Sequence, residues 1–84
     1  MIKLLYFALL RERVGMPEES LGLPPDVKDV AGLLHWLRGQ SPNHAAALAD
    51  PAMVRVAVNQ DYAAMSDPVQ DGDEVALFPP VTGG

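Results

Sequence analysis

The chain has 84 residues, 49% apolar and 20% charged, with a net charge of −5 and no cysteine. That suffices for one small domain with one core, and it is too apolar for a disordered chain. The acidic balance argues against a nucleic-acid backbone or an anionic membrane as partner and leaves room for a basic protein, while the missing thiol excludes disulfides, thiolate metal sites and a cysteine nucleophile.

Leu4 to Leu10 is apolar but too short to cross a bilayer. Only Lys3 precedes it, and Arg11-Glu12-Arg13 follows without a small-residue cleavage site, so it does not read as a secretion signal. A cytoplasmic protein is expected.

Ile2 to Ala8 reads as a strand. Alternation places Ile2, Leu4, Tyr6 and Ala8 on one face and Lys3, Leu5 and Phe7 on the other. Leu9 to Val14 predicts a short helical turn stopped by Gly15. Glu18 to Leu23 predicts an edge strand ended by Pro24-Pro25. Asp26 is the expected N-cap of the main helix, with Asp29 three residues later. Val27, Val30, Leu34 and Leu37 recur at helical spacing with Ala31 beside them, and Gly39 is the expected stop. Gly32 in this helix costs about 1 kcal/mol relative to alanine. Trp36 lies off the stripe and is expected half exposed.

Ser41 to Met53 predicts one helical turn around Ala45 to Leu48. Val54, Val56 and Val58 alternate with Arg55 and Ala57 as a strand. Asn59-Gln60 turns the chain, because asparagine tolerates positive φ, and Asp61 to Ala64 returns as a short strand. Asp67-Pro68 and Asp71-Gly72-Asp73 mark turns. Glu74 to Phe78 is the last strand, with Val75 and Leu77 inward and Ala76 and Phe78 outward. The fold class is α+β: a mixed sheet of four to five strands covered on one face by one main helix. The uncovered face then carries Lys3, Leu5, Phe7, Arg55, Ala57, Ala76 and Phe78. Grouped Leu and Phe on such a face suggest a protein-binding patch, although Phe7 and Phe78 can also be read as core.

Catalytic constellations are scarce. There is no phosphate loop, nucleophile elbow or zinc spacing. His35 on the helix and His44 in the following loop lack the neighbours of a metal site. Asp67, Asp71 and Asp73 lack the alternating ligands, central glycine and distal glutamate of a calcium loop, so turn chemistry is the better reading and no metal is expected. Glu12, Glu18 and Glu19 read as solvated charge. The final segment is more informative. Pro79-Pro80 stiffens its base and keeps it off the sheet. From Pro79 to Gly84 it can extend roughly 20 Å. Gly83-Gly84 slims the tip, as a tail entering a narrow slot requires. The competing reading is a frayed or appended end. A carboxylate on Gly84 becomes an acyl donor once a partner joins it to AMP.

Met1-Ile2-Lys3-Leu4-Leu5-Tyr6-Phe7-Ala8 with Leu10-Arg11-Glu12, then Val58-Asn59-Gln60, then the whole run Asp71 to Gly84, resemble the molybdopterin synthase small-subunit family. Met16 to Asp50 matches least. The resemblance implies a ubiquitin-like β-grasp domain over residues 1–78 and a flexible extended tail over 79–84. It implies a sulfur carrier that is not catalytic alone. An adenylating enzyme of the ubiquitin-activating type would put AMP transiently on Gly84. A persulfide donor would convert the acyl-adenylate to a thiocarboxylate. Pro79, Pro80, Val81, Thr82 and Gly83 would insert into the large subunit. There the thiocarboxylate would deliver sulfur to cyclic pyranopterin monophosphate, within a heterotetramer. No permanently bound cofactor is implied. The family's hydrophobic partner surface maps onto Phe7, Tyr62 and Phe78. Two alternatives stand beside this: a carrier for thiamine or tungsten-cofactor sulfur or a protein modifier, and a non-catalytic β-grasp interaction module.

Overall fold

The two strongest strand patterns in the sequence become neighbours at the centre of the sheet. In the computed structural model, which describes residues 1–80, β1 (Ile2–Tyr6) pairs in parallel with β5 (Glu74–Phe78), in register from Lys3 opposite Glu74 to Tyr6 opposite Leu77. Between them the chain runs through α1 (Ala8–Val14), β2 (Glu18–Leu21), α2 (Val30–Arg38), α3 (Pro42–Ala47), a 3-10 turn (Pro51–Met53), β3 (Arg55–Val58) and β4 (Asp61–Ala63). The sheet order is β2-β1-β5-β3-β4, and every pairing except β1–β5 is antiparallel. A mixed five-stranded sheet wrapped around one principal helix is the ubiquitin-like β-grasp.

Alternation decides which face is core. Ile2, Leu4, Tyr6, Val54, Val56, Val75 and Leu77 are buried against Val30, Leu33, Leu34 and Leu37 of α2. The buried stripe of α2 takes in Leu33, whereas Ala31 is exposed. Trp36 is half-buried.

Several boundaries differ from the sequence expectation. Ala8 is neither in a strand nor on the core face: β1 ends at Tyr6, and the Phe7 carbonyl accepts from Leu10 N (3.1 Å) and Arg11 N (3.3 Å) to start α1. The main helix is capped by Asp29, not Asp26. Pro24 O accepts from Val27 N in a turn, which postpones the helix by one turn. Asp29 Oδ1 then accepts from Gly32 N at 2.8 Å, while Asp67 O and Met65 O accept from Val30 N and Ala31 N. The first free N–H groups of α2 are thereby satisfied by its own cap and by a loop far along the chain. Gly32 has a structural reason here, since a Cβ would stand 3.1 Å from the capping Asp29 Oδ1. The next helix starts at Pro42, earlier than expected, because Ser41 caps it by accepting from His44 N and proline suits its first turn. His44 therefore sits in α3 and not in a loop.

The β3–β4 hairpin is closed by Asn59 and Gln60, both at positive φ (51° and 72°). Asn59 also locks the hairpin to β5. Its Nδ2 donates to Asp73 Oδ1 and its Oδ1 accepts from Glu74 N, each at 3.0 Å. The three turn aspartates all have partners: Asp67 Oδ2 accepts from Ala64 N and Asp73 Oδ2 from Gln70 N within their own turns, and Asp71 pairs with the Met1 amino group at the other end of the chain. Among the described residues no cluster of three acidic or histidine side chains is placed to hold a metal. Nor is any helix among them long and apolar enough to cross a membrane.

Candidate functional site

The helices cover one face of the sheet, so the other face is set by the alternate residues. Across the strands one row runs Glu18, Leu5, Ala76, Ala57, Tyr62. The next row pairs Phe78 with Arg55, and Phe7 stands one residue beyond the Tyr6–Leu77 pair, alongside Phe78. Phe7 remains extended (φ −124°, ψ 151°), and its N–H donates to Leu77 O at 3.1 Å, which keeps it in line with β1. Three aromatic residues far apart in sequence therefore share one end of one face.

Their environments differ. Tyr62, on the edge strand β4, is 84% exposed, and Phe7 is 48% exposed. Phe78, on the central strand, is half-buried. The rings of Tyr62 and Phe78 lie 5.9 Å apart at 56°. Ala57 and Ala76 keep the floor between them low. Arg55 is exposed beside Phe78, and Lys3 pairs with Glu18 at 3.2 Å on the same face. Apolar rings with a basic side chain at their margin suit a protein partner more than a small polar ligand.

β5 delivers the chain from this patch. Phe78 ends the strand and Pro79-Pro80 follows, half-buried and without N–H groups to extend the ladder. Val81, Thr82, Gly83 and Gly84, the tail and its proposed reactive end, lie outside the described residues.

A second polar cluster was not legible in the sequence. Glu19 Oε2 accepts from Tyr6 Oη at 2.7 Å and meets His44 Nε2 at 2.6 Å. His44 Nδ1 lies 2.7 Å from Ser41 Oγ. His44 is buried and Glu19 half-buried, so the reading of Glu19 as solvated charge is corrected. The buried Tyr6 hydroxyl is held far above its ordinary pKa by burial first, then by its hydrogen bond to Glu19 and the charge of that carboxylate. The cluster ties β1, β2 and α3 together. It forms within the fold, between residues 25 positions apart (Glu19 and His44), which no local spacing announces.

The ThiS family model matches residues 4–84. The chain belongs to the ThiS family. The molybdopterin synthase sulfur carrier subunit of Escherichia coli K12 is 44% identical over the whole of both chains. The protein of the same name from Haemophilus influenzae is 34% identical, again over the whole of both. Among solved structures, small archaeal modifier protein 1 of H. volcanii superposes with a TM-score of 0.76 at 30% identity, covering 95% of this chain and 97% of that one. The ThiS-family membership and the β-grasp superposition agree with the resemblance carried by the two ends of the sequence and by Val58-Asn59-Gln60.

Proposed function

We propose that this chain is the small, sulfur-carrying subunit of a molybdopterin synthase. The observation that carries the reading is the end-to-end likeness to the E. coli sulfur carrier subunit, at 44% identity. Two structural features support it. The exposed aromatic face of Phe7, Tyr62 and Phe78 offers a partner a platform, and β5 launches Pro79-Pro80 from the edge of that platform.

In this reading Gly84 is the reacting residue. Its carboxylate oxygen attacks the α-phosphorus of ATP on an adenylating enzyme, and pyrophosphate leaves. The terminal sulfur of a persulfide donor attacks the acyl carbon and AMP leaves. Thiol reduction of the resulting acyl disulfide frees the thiocarboxylate. The tail from Pro79 to Gly83 then enters the large subunit. The thiocarboxylate sulfur bonds to a carbon of cyclic pyranopterin monophosphate, water attacks the acyl carbon, and the acyl C–S bond breaks, which leaves sulfur on the precursor towards the dithiolene and returns the carboxylate. The chain supplies the platform and the arm; the acid–base groups belong to the large subunit, in a heterotetramer in the cytoplasm. AMP is a transient adduct and not a resident cofactor.

The test is intact-mass analysis after incubation with adenylating enzyme, ATP and a sulfur donor. One oxygen-to-sulfur exchange, followed by molybdopterin formation once large subunit and precursor are added, is expected. Exchange without molybdopterin would move the carrier to another pathway. The 30% identity to a small archaeal modifier protein favours a second reading, as a protein modifier. Amide-linked adducts on lysines of other proteins, with no thiocarboxylate, would decide for that one.

A further inference from the structure

The helix side of the molecule carries a groove that the sulfur-carrier reading leaves without a role. It runs along α2 on the side away from the aromatic sheet face and holds about 470 Å³. Asp26 and Val27 line one end, Gly39 and Gln40 the other, with Gly32, His35 and Trp36 between. Residues Val30, Leu33, Leu34 and Leu37 face the core, so the groove occupies the part of α2 that packing does not consume.

Two observations set its chemistry. Asp26 is exposed and makes no ion pair among the described residues. The opposite end, the C-terminus of α2, is already capped: the Trp36 and Leu37 carbonyls accept from Gly39 N and Gln40 N, and His35 and Arg38 stand in the last turn, so it adds no attraction for a cation. Between them lies the half-buried Trp36, whose indole is the aromatic surface that best attracts a cation. The Asp26 end favours positive charge and the middle favours an apolar stem. Gly39 keeps the groove open. Its φ of −84° is available to any residue, so the backbone does not require glycine there. A Cβ would meet only Trp36 O, at 3.4 Å.

We propose that this groove is a second docking site, which takes an arginine side chain from a basic segment of a protein partner. The guanidinium stacks on Trp36 and reaches Asp26, and the net charge of −5 draws basic segments towards it. Because the groove and the aromatic face lie on opposite sides of the sheet, both can be occupied together.

Trp36 is the only tryptophan, so its fluorescence reads the site directly. The probe is a blocked arginine-containing hexapeptide, compared with the same peptide carrying citrulline, titrated into the full chain at pH 8 and low salt. Saturable quenching by the arginine peptide is expected, with amide NMR shifts confined to residues 26–40. Asp26→Asn should weaken it about threefold, the size of one exposed charge pair. Gly39→Leu, which fills the groove at an unstrained position, should abolish it with the melting temperature kept. Tyr62→Ala on the sheet face should leave it unchanged. Equal binding of the citrulline peptide, indifference to Gly39→Leu, or shifts scattered over the acidic surface would each overturn the proposal.

Discussion

Tyr62 and Phe78 bring their rings within 5.9 Å of each other although a whole strand, β3, runs between theirs. The contact is possible because the β3 residue in the row with Tyr62 is Ala57, whose methyl group leaves the space above it open. A tilted aromatic pair is thus built on an exposed surface, where it contributes little to the core.

That placement separates binding from folding. Phe78→Ala should weaken association with a molybdopterin synthase large subunit by about 2 kcal/mol, the scale of an interface hot spot. Tyr62→Ala should weaken it as well, yet barely move the melting temperature, because its ring is mostly in solvent. Calorimetric titration and thermal unfolding of both variants make the comparison. An unchanged dissociation constant with a destabilised monomer would reassign Phe78 to the core.

Glu19 makes the opposite case. Its carboxylate holds Tyr6 and His44 from two other elements. Glu19→Ala leaves the buried tyrosine hydroxyl and imidazole short of a partner, and we expect about 2–3 kcal/mol lost in urea unfolding. Glu18→Ala, one residue away and paired only with the half-exposed Lys3, should cost less than about 1 kcal/mol. Equal losses from the two would remove the network from the account of stability.

The contrast between neighbouring glutamates shows what the sequence could tell. Period-two alternation made the outward face with Leu5, Ala57, Ala76 and Phe78 readable, because each strand records its own two faces. The rings of Phe7 and Phe78 were found that way. What joins distant elements was not readable. Asp26 and Asp29 both look like caps, and a turn closed by Pro24 O selected the second. Glu19 and Glu18 both look solvated, and the arrival of α3 buried one of them. Ala8 fitted the strand alternation until the Phe7 carbonyl began a helix. Local pattern carries face and period; partners supplied by tertiary packing carry none of it.

The tail prediction rests on space. Gly84→Ala adds one methyl at the proposed reacting end, where the partner's slot must admit the chain. We expect slower adenylation and a normal melting temperature. Pyrophosphate release measured with the adenylating enzyme reads the first, and calorimetry the second. Loading and sulfur transfer at the normal rate would show that the slot tolerates a side chain, and the close-approach argument for glycine would fall.

The buried Tyr6 gives the protein an alkaline limit. In the folded state its hydroxyl is kept protonated by burial and by Glu19, well above the ordinary value of 10.0 at which the unfolded chain releases it. Below that value both states hold the proton and the stabilisation is complete. Above it the unfolded state binds one proton fewer than the native state, so stability falls with rising pH. The slope for one group is about 1.4 kcal/mol per pH unit. Tyr6→Phe removes the titrating group. The variant should be weaker at pH 8 by about 1 kcal/mol, through the lost hydrogen bond. Its stability should then decline less steeply above pH 10, so that the two curves converge. Urea unfolding of both proteins between pH 8 and 11 makes the measurement, and parallel curves over that range would place the alkaline sensitivity elsewhere in the molecule.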